Sequence, residues 1–213
     1  MRAVPRAPRD AVLRLYDEGV EGFAAASDGL APGEWEVVAC GAWTVTDVAR
    51  HVLAVAGWYH AWLDRAERGV AEPPFAVPEL AAHNAAALSE LGGLSGSDAV
   101  AQFVASASAY RDRLPDHWDL PFGYPRGTVT AGLHAGVAAC EWHLHAWDVA
   151  RALGRAYRVS DPATLYAAVG DCTATAEGGV RGRLAAALVP LGSRLRPWEA
   201  LLRRSGRAPG TDD

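Results

Sequence analysis

Apolar residues recur along most of this chain at the spacing of an α-helix buried on one face. Val12, Leu15, Tyr16, Val20 and Phe23 share one side of a helix predicted over residues 10–27, which the stretch GLAPG at 29–33 ends. Residues 34–41 read as a connector carrying Trp35. A second helix opens at Thr44-Val-Thr-Asp47, where T-x-x-D approximates a capping box. Its stripe is Val48, Val52, Val55, Tyr59 and Trp62, and Gly69 with Pro73 and Pro74 stops it. Pro78 suits a first helical position. The helix after it is predicted to about Leu91, is broken by Gly92 and Gly93, and continues from a cap at Ser97 to Leu114, as one kinked arm or as two helices. Residues 115–127, PDHWDLPFGYPRG, are predicted as a loop that forms a lid or the rim of a pocket. A long helix follows from Thr128 to near Gly154. Another runs from Ser160-Asp-Pro162 to Glu177, and a short one covers residues 197–204. No repeat and no strand alternation stands out. The expected class is all-α: an antiparallel four-helix bundle over residues 1–178, with a C-terminal tail, 179–213, whose short helix packs on it.

The long helix contains CEWHLHAWDVARALG, residues 140–154, with Glu141 and His145 at i and i+4 on one side. On a helical wheel Leu133, Val137, Cys140, Leu144 and Trp147 form its apolar stripe, and His134, Glu141, His145 and Asp148 form a line along the margin. Trp142 and His143 point elsewhere. Such a line either faces water or faces a cavity with something bound, because burial alone is costly. If the second helix packs alongside, His51 joins Glu141 and His145 around one divalent metal. The bland alternatives are a surface i, i+4 pair and a histidine packed in the core. Asp148, one turn beyond His145, orients that imidazole or pairs with Arg151 or Arg50. His134 lies about 10.5 Å along the axis from Glu141. It is therefore expected to be partly exposed and to touch substrate or solvent. Trp58, Tyr59 and Trp62 line a pocket or pack in the core. Cys140 is read as packing, and no cysteine is expected in the site.

Composition narrows the classes. The net charge is −5, and the basic residues are all arginine. An acidic balance without a basic stripe argues against nucleic-acid binding. The 3 cysteines are too few and too scattered for a disulfide framework. No apolar run approaches the roughly 20 residues of a membrane span. The N-terminus lacks the apolar core of a signal peptide. A cytoplasmic protein acting on a small molecule, as monomer or homodimer, is expected.

Three segments carry a family resemblance. CGAWTVTDVARHVLAVAGWYHAWL, residues 40–63, is similar to a W-T-V-x-D-V-x-x-H-V pattern. EWHLHAWDVARALG, residues 141–154, is similar to E-x-x-x-H-x-W-D-L-A-x-A-x-G. EALLRRSGRAP, residues 199–209, is similar to a closing L-L-x-x-x-G-R-x-P. On these the chain resembles the DinB-like superfamily, in the branch of mycothiol-dependent maleylpyruvate isomerase-like proteins. The resemblance implies a four-helix bundle holding a divalent metal, most often Zn2+, with Fe2+ or Ni2+ as alternatives. It places the ligands at His51, Glu141 and His145. Three protein ligands leave coordination places open, as in catalytic sites. The resemblance also implies mycothiol as a cosubstrate, so that a metal-bound thiol or water does the chemistry, with His134 and Asp148 as candidate helpers. The expected function is a metal-dependent thiol S-transferase or isomerase. The alternatives are a thiol-independent hydrolase, lyase or cyclase, and a non-enzymatic metal- or ligand-binding bundle. Two-domain members of this branch carry a sizeable second domain after the bundle, for which residues 179–213 leave little room. The resemblance therefore does not carry maleylpyruvate over as the substrate.

Overall fold

The computed structural model describes residues 7–176 and 196–208. Among them are α1 (Arg9–Ala26), β1 (Val38–Cys40), β2 (Trp43–Thr44), α2 (Val45–Glu67), α3 (Leu80–Glu90), α4 (Gly96–His117), β3 (Pro121–Tyr124), β4 (Gly127–Thr130), α5 (Ala131–Ala152), α6 (Pro162–Ala176) and α7 (Pro197–Arg204). The described protein is a helical bundle built on α1, α2, α4 and α5, with α6 packed against it, α7 packed on α6, and two small antiparallel hairpins, β1–β2 and β3–β4.

The start of α2 shows how local sequence sets an element. Thr44 Oγ1 accepts from the Asp47 amide at 3.2 Å, and Asp47 Oδ2 accepts from the Thr44 amide at 3.0 Å. Two otherwise orphaned first-turn donors are thus satisfied. Above this cap the predicted stripe of Val48, Val52, Val55, Tyr59 and Trp62 is buried, and His51 is buried beside it.

Paired contacts give the helix directions. Phe23 meets Phe103, and Tyr16 donates to Ala107 O, so α1 and α4 run antiparallel. His51 faces His145 while Trp62 faces His134, so α2 and α5 do too. In contrast, Arg50 reaches Leu94 O, His60 reaches Ser106 O and Arg113 reaches Asp64, so α2 and α4 run side by side in one direction. Tyr16 at Trp142 and Arg155 at Ala26 O give the same sense for α1 and α5. A parallel neighbour requires a return along the whole of α2, about 34 Å for its 23 residues. Residues 68–95, with α3 inside them, make that return. This chain length, invisible to a rule about short connections, selects the mixed arrangement.

Helix α5 is the centre of the molecule. The wheel assigned it one apolar stripe; in the structure it is buried nearly all round, Trp142 and His143 included. Before its last two residues, the less buried ones are Leu133, Val137 and Glu141, at i, i+4 and i+8, so two residues placed on the core stripe are only partly buried. Gly19 of α1 permits the close approach: a Cβ there would stand 2.9 Å from Cβ of Trp142. Trp142 is fully buried, with the rings of Phe103, Tyr59 and Tyr16 at 4.8, 5.5 and 6.1 Å.

Several expected boundaries move. The cap of α4 is Ser95, not Ser97: its hydroxyl accepts from the Asp98 amide at 3.1 Å. The segments before and after Gly92 and Gly93 are two helices. Thr128 lies in β4, and Thr130 caps α5. Residues 115–127 are not a loop. Pro115 is absorbed in the last turn of α4, and Tyr124 pairs with Gly127 across a two-residue turn. Strands of four residues interrupted by proline are too short for alternation to show. Their inward side chains, Phe122 and Tyr124, pack on α5. The end of the predicted helix at Glu177, with the chain from there to 195, lies outside the described residues. No described helix is long and apolar enough to cross a membrane.

Candidate metal centre

Helices α2 and α5, crossing antiparallel, bring His51 opposite Glu141 and His145. Nε2 of His51 lies 3.2 Å from Oε1 of Glu141, and Nε2 of His145 lies 3.3 Å from the same oxygen. The two imidazole rings stand edge to face at 4.9 Å. All three donor atoms fall within 4.8 Å of one another. Both histidines are buried, whereas Glu141 keeps 30% of its side-chain surface. The cluster therefore opens to solvent on the carboxylate side.

This donor set fits a divalent ion. Bonds of about 2.0–2.2 Å at tetrahedral angles place ligand atoms roughly 3.3–3.6 Å apart. The two nitrogen–oxygen separations lie at that spacing, and both rings present Nε2 rather than Nδ1 to the common point. Protons hold the same cluster together in the metal-free state. Burial works against charging His145, but Asp148 and Glu141 outweigh it and raise its pKa to about 9. Burial lowers that of His51, with Glu141 only partly offsetting it. Burial alone would raise Glu141, yet its contacts with His145 and His51 hold it well below the usual carboxylate range.

These directions give a testable pH dependence. His145 titrates above its ordinary 6.5, so its proton stabilises the metal-free fold fully below about 6.5, and that contribution is lost as pH rises through about 9. A metal ion competes with that proton for the same lone pair. Co2+ affinity should therefore climb as pH rises toward about 9 and level above it, with proton release on binding below about 9. Calorimetric titration in buffers of different ionisation enthalpy measures both; affinity flat as pH rises toward about 9 would contradict the assignment.

Asp148 is the support behind His145. It is 3% exposed, and its Oδ2 lies 3.0 Å from Nδ1 of His145, although the contact is off-line for a good hydrogen bond. Its cationic partner is neither Arg151 nor Arg50. Arg151 lies over the Trp147 ring, and Arg50 is taken by Leu94 O. The partner is Arg207, from just beyond α7, through two bonds of 2.7 and 2.5 Å.

Residues 36–150 match the family model described as mycothiol maleylpyruvate isomerase N-terminal domain. The chain belongs to this family. The match covers more than half of the chain and contains His51, Glu141, His145 and Asp148, but stops well short of Arg207. No curated protein and no solved structure matches the chain.

Within this member of the mycothiol maleylpyruvate isomerase N-terminal domain family, two expected placements are corrected. His134 is not partly exposed. It is 1% exposed, caged by the rings of Phe122, Tyr59, Tyr124 and Trp62 at 4.5, 4.6, 5.3 and 6.0 Å. Burial drives its pKa down to about 3 and keeps it neutral. It lies one helical heptad from Glu141, on the face that the β3–β4 hairpin covers. A cysteine also stands beside the site after all. Sγ of Cys40, from β1, belongs to the same close cluster as His145 and Asp148, with Arg207 Nη2 at 3.8 Å. Burial, then the Asp148 charge, push this thiol up to about 11, so it stays protonated and a poor nucleophile near neutrality. Cys140 is buried and pushed up to about 12, in keeping with a packing role.

Three neighbours escaped sequence reading: Cys40, Arg207 and Trp43, whose ring covers His51 at 4.7 Å. All three sit inside the quoted motifs, Cys40 and Trp43 in C-G-A-W and Arg207 in the closing G-R. Their presence in those patterns was the available signal.

Proposed function

We propose that this protein is a metal-dependent enzyme joining a low-molecular-weight thiol, mycothiol, to an electrophilic small molecule, as an S-transferase or as a cis–trans isomerase. His51, Glu141 and His145 would hold the ion. The observation that carries the reading is the convergence of these three donors, two of them buried and the Glu141 carboxylate partly exposed. A bound divalent ion, with Zn2+ the first candidate, would supply Lewis acidity, favouring the anionic form of a thiol and polarising a substrate oxygen.

The chain's own groups prepare that chemistry. Asp148 Oδ2 lies 3.0 Å from Nδ1 of His145, so its charge favours the proton on that nitrogen and leaves Nε2 toward the ion position. The Trp43 ring lies tilted against that of His51, with centroids 4.7 Å apart. Burial and the Asp148 charge push the neighbouring thiol of Cys40 up to about 11, in keeping with a sulfur nucleophile brought in from outside the chain. The reaction class is addition of that sulfur to an electrophilic carbon. It ends as an S-conjugate or, after rotation about the now single carbon–carbon bond and departure of the thiol, as the geometric isomer.

The test is thiol consumption. Protein loaded with Zn2+ and given mycothiol and an unsaturated keto acid should give a thiol conjugate or the isomer, and chelation should stop it. Equal turnover without any thiol would remove the thiol from the reading. Equal turnover after complete chelation would remove the metal.

A further inference from the structure

Arg207 lies outside the residues that match the family, yet all of its guanidinium contacts point at the candidate centre or fix the arginine itself. Nε donates to Asp148 Oδ1 at 2.7 Å and Nη2 to Asp148 Oδ2 at 2.5 Å, the paired geometry in which a planar fork grips a carboxylate. Nη2 also reaches Sγ of Cys40 at 3.8 Å, and Nη1 reaches Ser205 O at 3.4 Å. The backbone beneath it is equally determined. Helix α7 is seated by Leu201 and Leu202, both buried. Gly206, at φ +79°, turns the chain at its end. The Arg207 amide then closes back onto Leu202 O at 2.8 Å, and that of Gly206 onto Arg203 O at 3.1 Å. This is the bond pair of a Schellman motif, with glycine in the left-handed position and arginine next after it. The G-R pair thus has a division of labour: glycine makes the turn that aims the arginine.

We propose that Arg207 is a positioning residue of the centre, acting through Asp148 on His145. Two hydrogen bonds fix the carboxylate plane and keep Oδ2 at 3.0 Å from Nδ1 of His145, a charge contact on the side of the ring away from Nε2, which faces Glu141 and His51. Without the fork the buried carboxylate loses both bonds that fix its plane, and it no longer stands in place beside the imidazole. The C-terminal segment is by this account part of the centre, although it contributes no donor to the ion. The inference rests on reading His51, Glu141 and His145 as the metal site.

The experiment is a Co2+ titration of the full chain, followed by visible absorption, with the same samples checked by circular dichroism. Nitrogen chemical shifts of the His145 ring are recorded in the metal-free state. Native protein, Arg207→Met, Arg207→Lys and His51→Ala are compared. Loss of an outer partner typically costs 10–100-fold in metal affinity, so Arg207→Met should bind Co2+ roughly 10–100-fold more weakly. Lysine keeps the charge but not the parallel pair of bonds, so Arg207→Lys should recover only part of the loss. The His145 nitrogen shifts should move in both variants. If Arg207→Met does not fold, Arg207→Lys decides. Binding equal to or tighter than native in the folded Arg207 variants, with His51→Ala dead, overturns this proposal and leaves the metal site standing. Native binding that survives His51→Ala sinks the metal site itself.

Discussion

Glu141→Gln should strip the centre of its ion while leaving the fold intact. Glutamine keeps the length of the side chain and an oxygen that can accept from an imidazole, but it removes the only anionic donor of the set. Losing an outer partner already costs about 10–100-fold in metal affinity. Losing a direct ligand should cost more than about 100-fold, and thiol conjugation should fall with it. The same change takes away a contact that raises His145, so its pKa should drop from about 9 in the metal-free protein. Elemental analysis, Co2+ titration and the His145 proton titration by magnetic resonance read these three outcomes. A variant that retains one ion per chain and full turnover would show that the carboxylate is not a ligand.

Trp142→Ala should give the largest loss of stability of any single change in the core. The side chain is wholly buried, and α1, α2 and α4 each place an aromatic ring against it. Large-to-small changes of this kind cost about 3–5 kcal/mol through lost transfer energy and the cavity left behind. Domains of this size shift by roughly 2–4 °C for each kcal/mol, so a fall of about 6–20 °C in melting temperature is expected by calorimetry. Trp142 sits next to Glu141 in sequence but faces the core. Metal affinity at temperatures where the variant is folded should therefore change far less than in Glu141→Gln. A melting temperature within a degree or two of native would mean the three helices do not meet at this ring.

The contrast between the two substitutions separates what a linear pattern reveals from what it hides. The Thr44–Asp47 cap, the inward stripe of α2 and the pairing of Glu141 with His145 depend on residues within one or two helical turns. Helical geometry alone makes these predictable. Position relative to other elements is a different matter. His134 stands on the same line of α5 as Glu141, and nothing in the helix distinguishes the two. What separates them is the β3–β4 hairpin, which places Phe122 and Tyr124 over one and leaves the other open. The partner of Asp148 could not be read locally either. Arg151 and Arg50 were nearer along the chain or the motif, but the arginine that arrives comes from position 207, across the described fold.

By itself, then, the sequence determined the helical class, the family and the i, i+4 pairing of Glu141 with His145, because periodicity, caps and short motifs are encoded within single elements, whereas His51 reaches that pair only through the packing of α2 on α5. Only the tertiary structure decided that α5 is buried nearly all round, that His134 is sealed among rings, and that Cys40, Trp43 and Arg207 border the centre. Those outcomes depend on which elements cover which faces. Burial and electrostatics are properties of the assembled surroundings, so two histidines on one helix can end with pKa values near 3 and near 9.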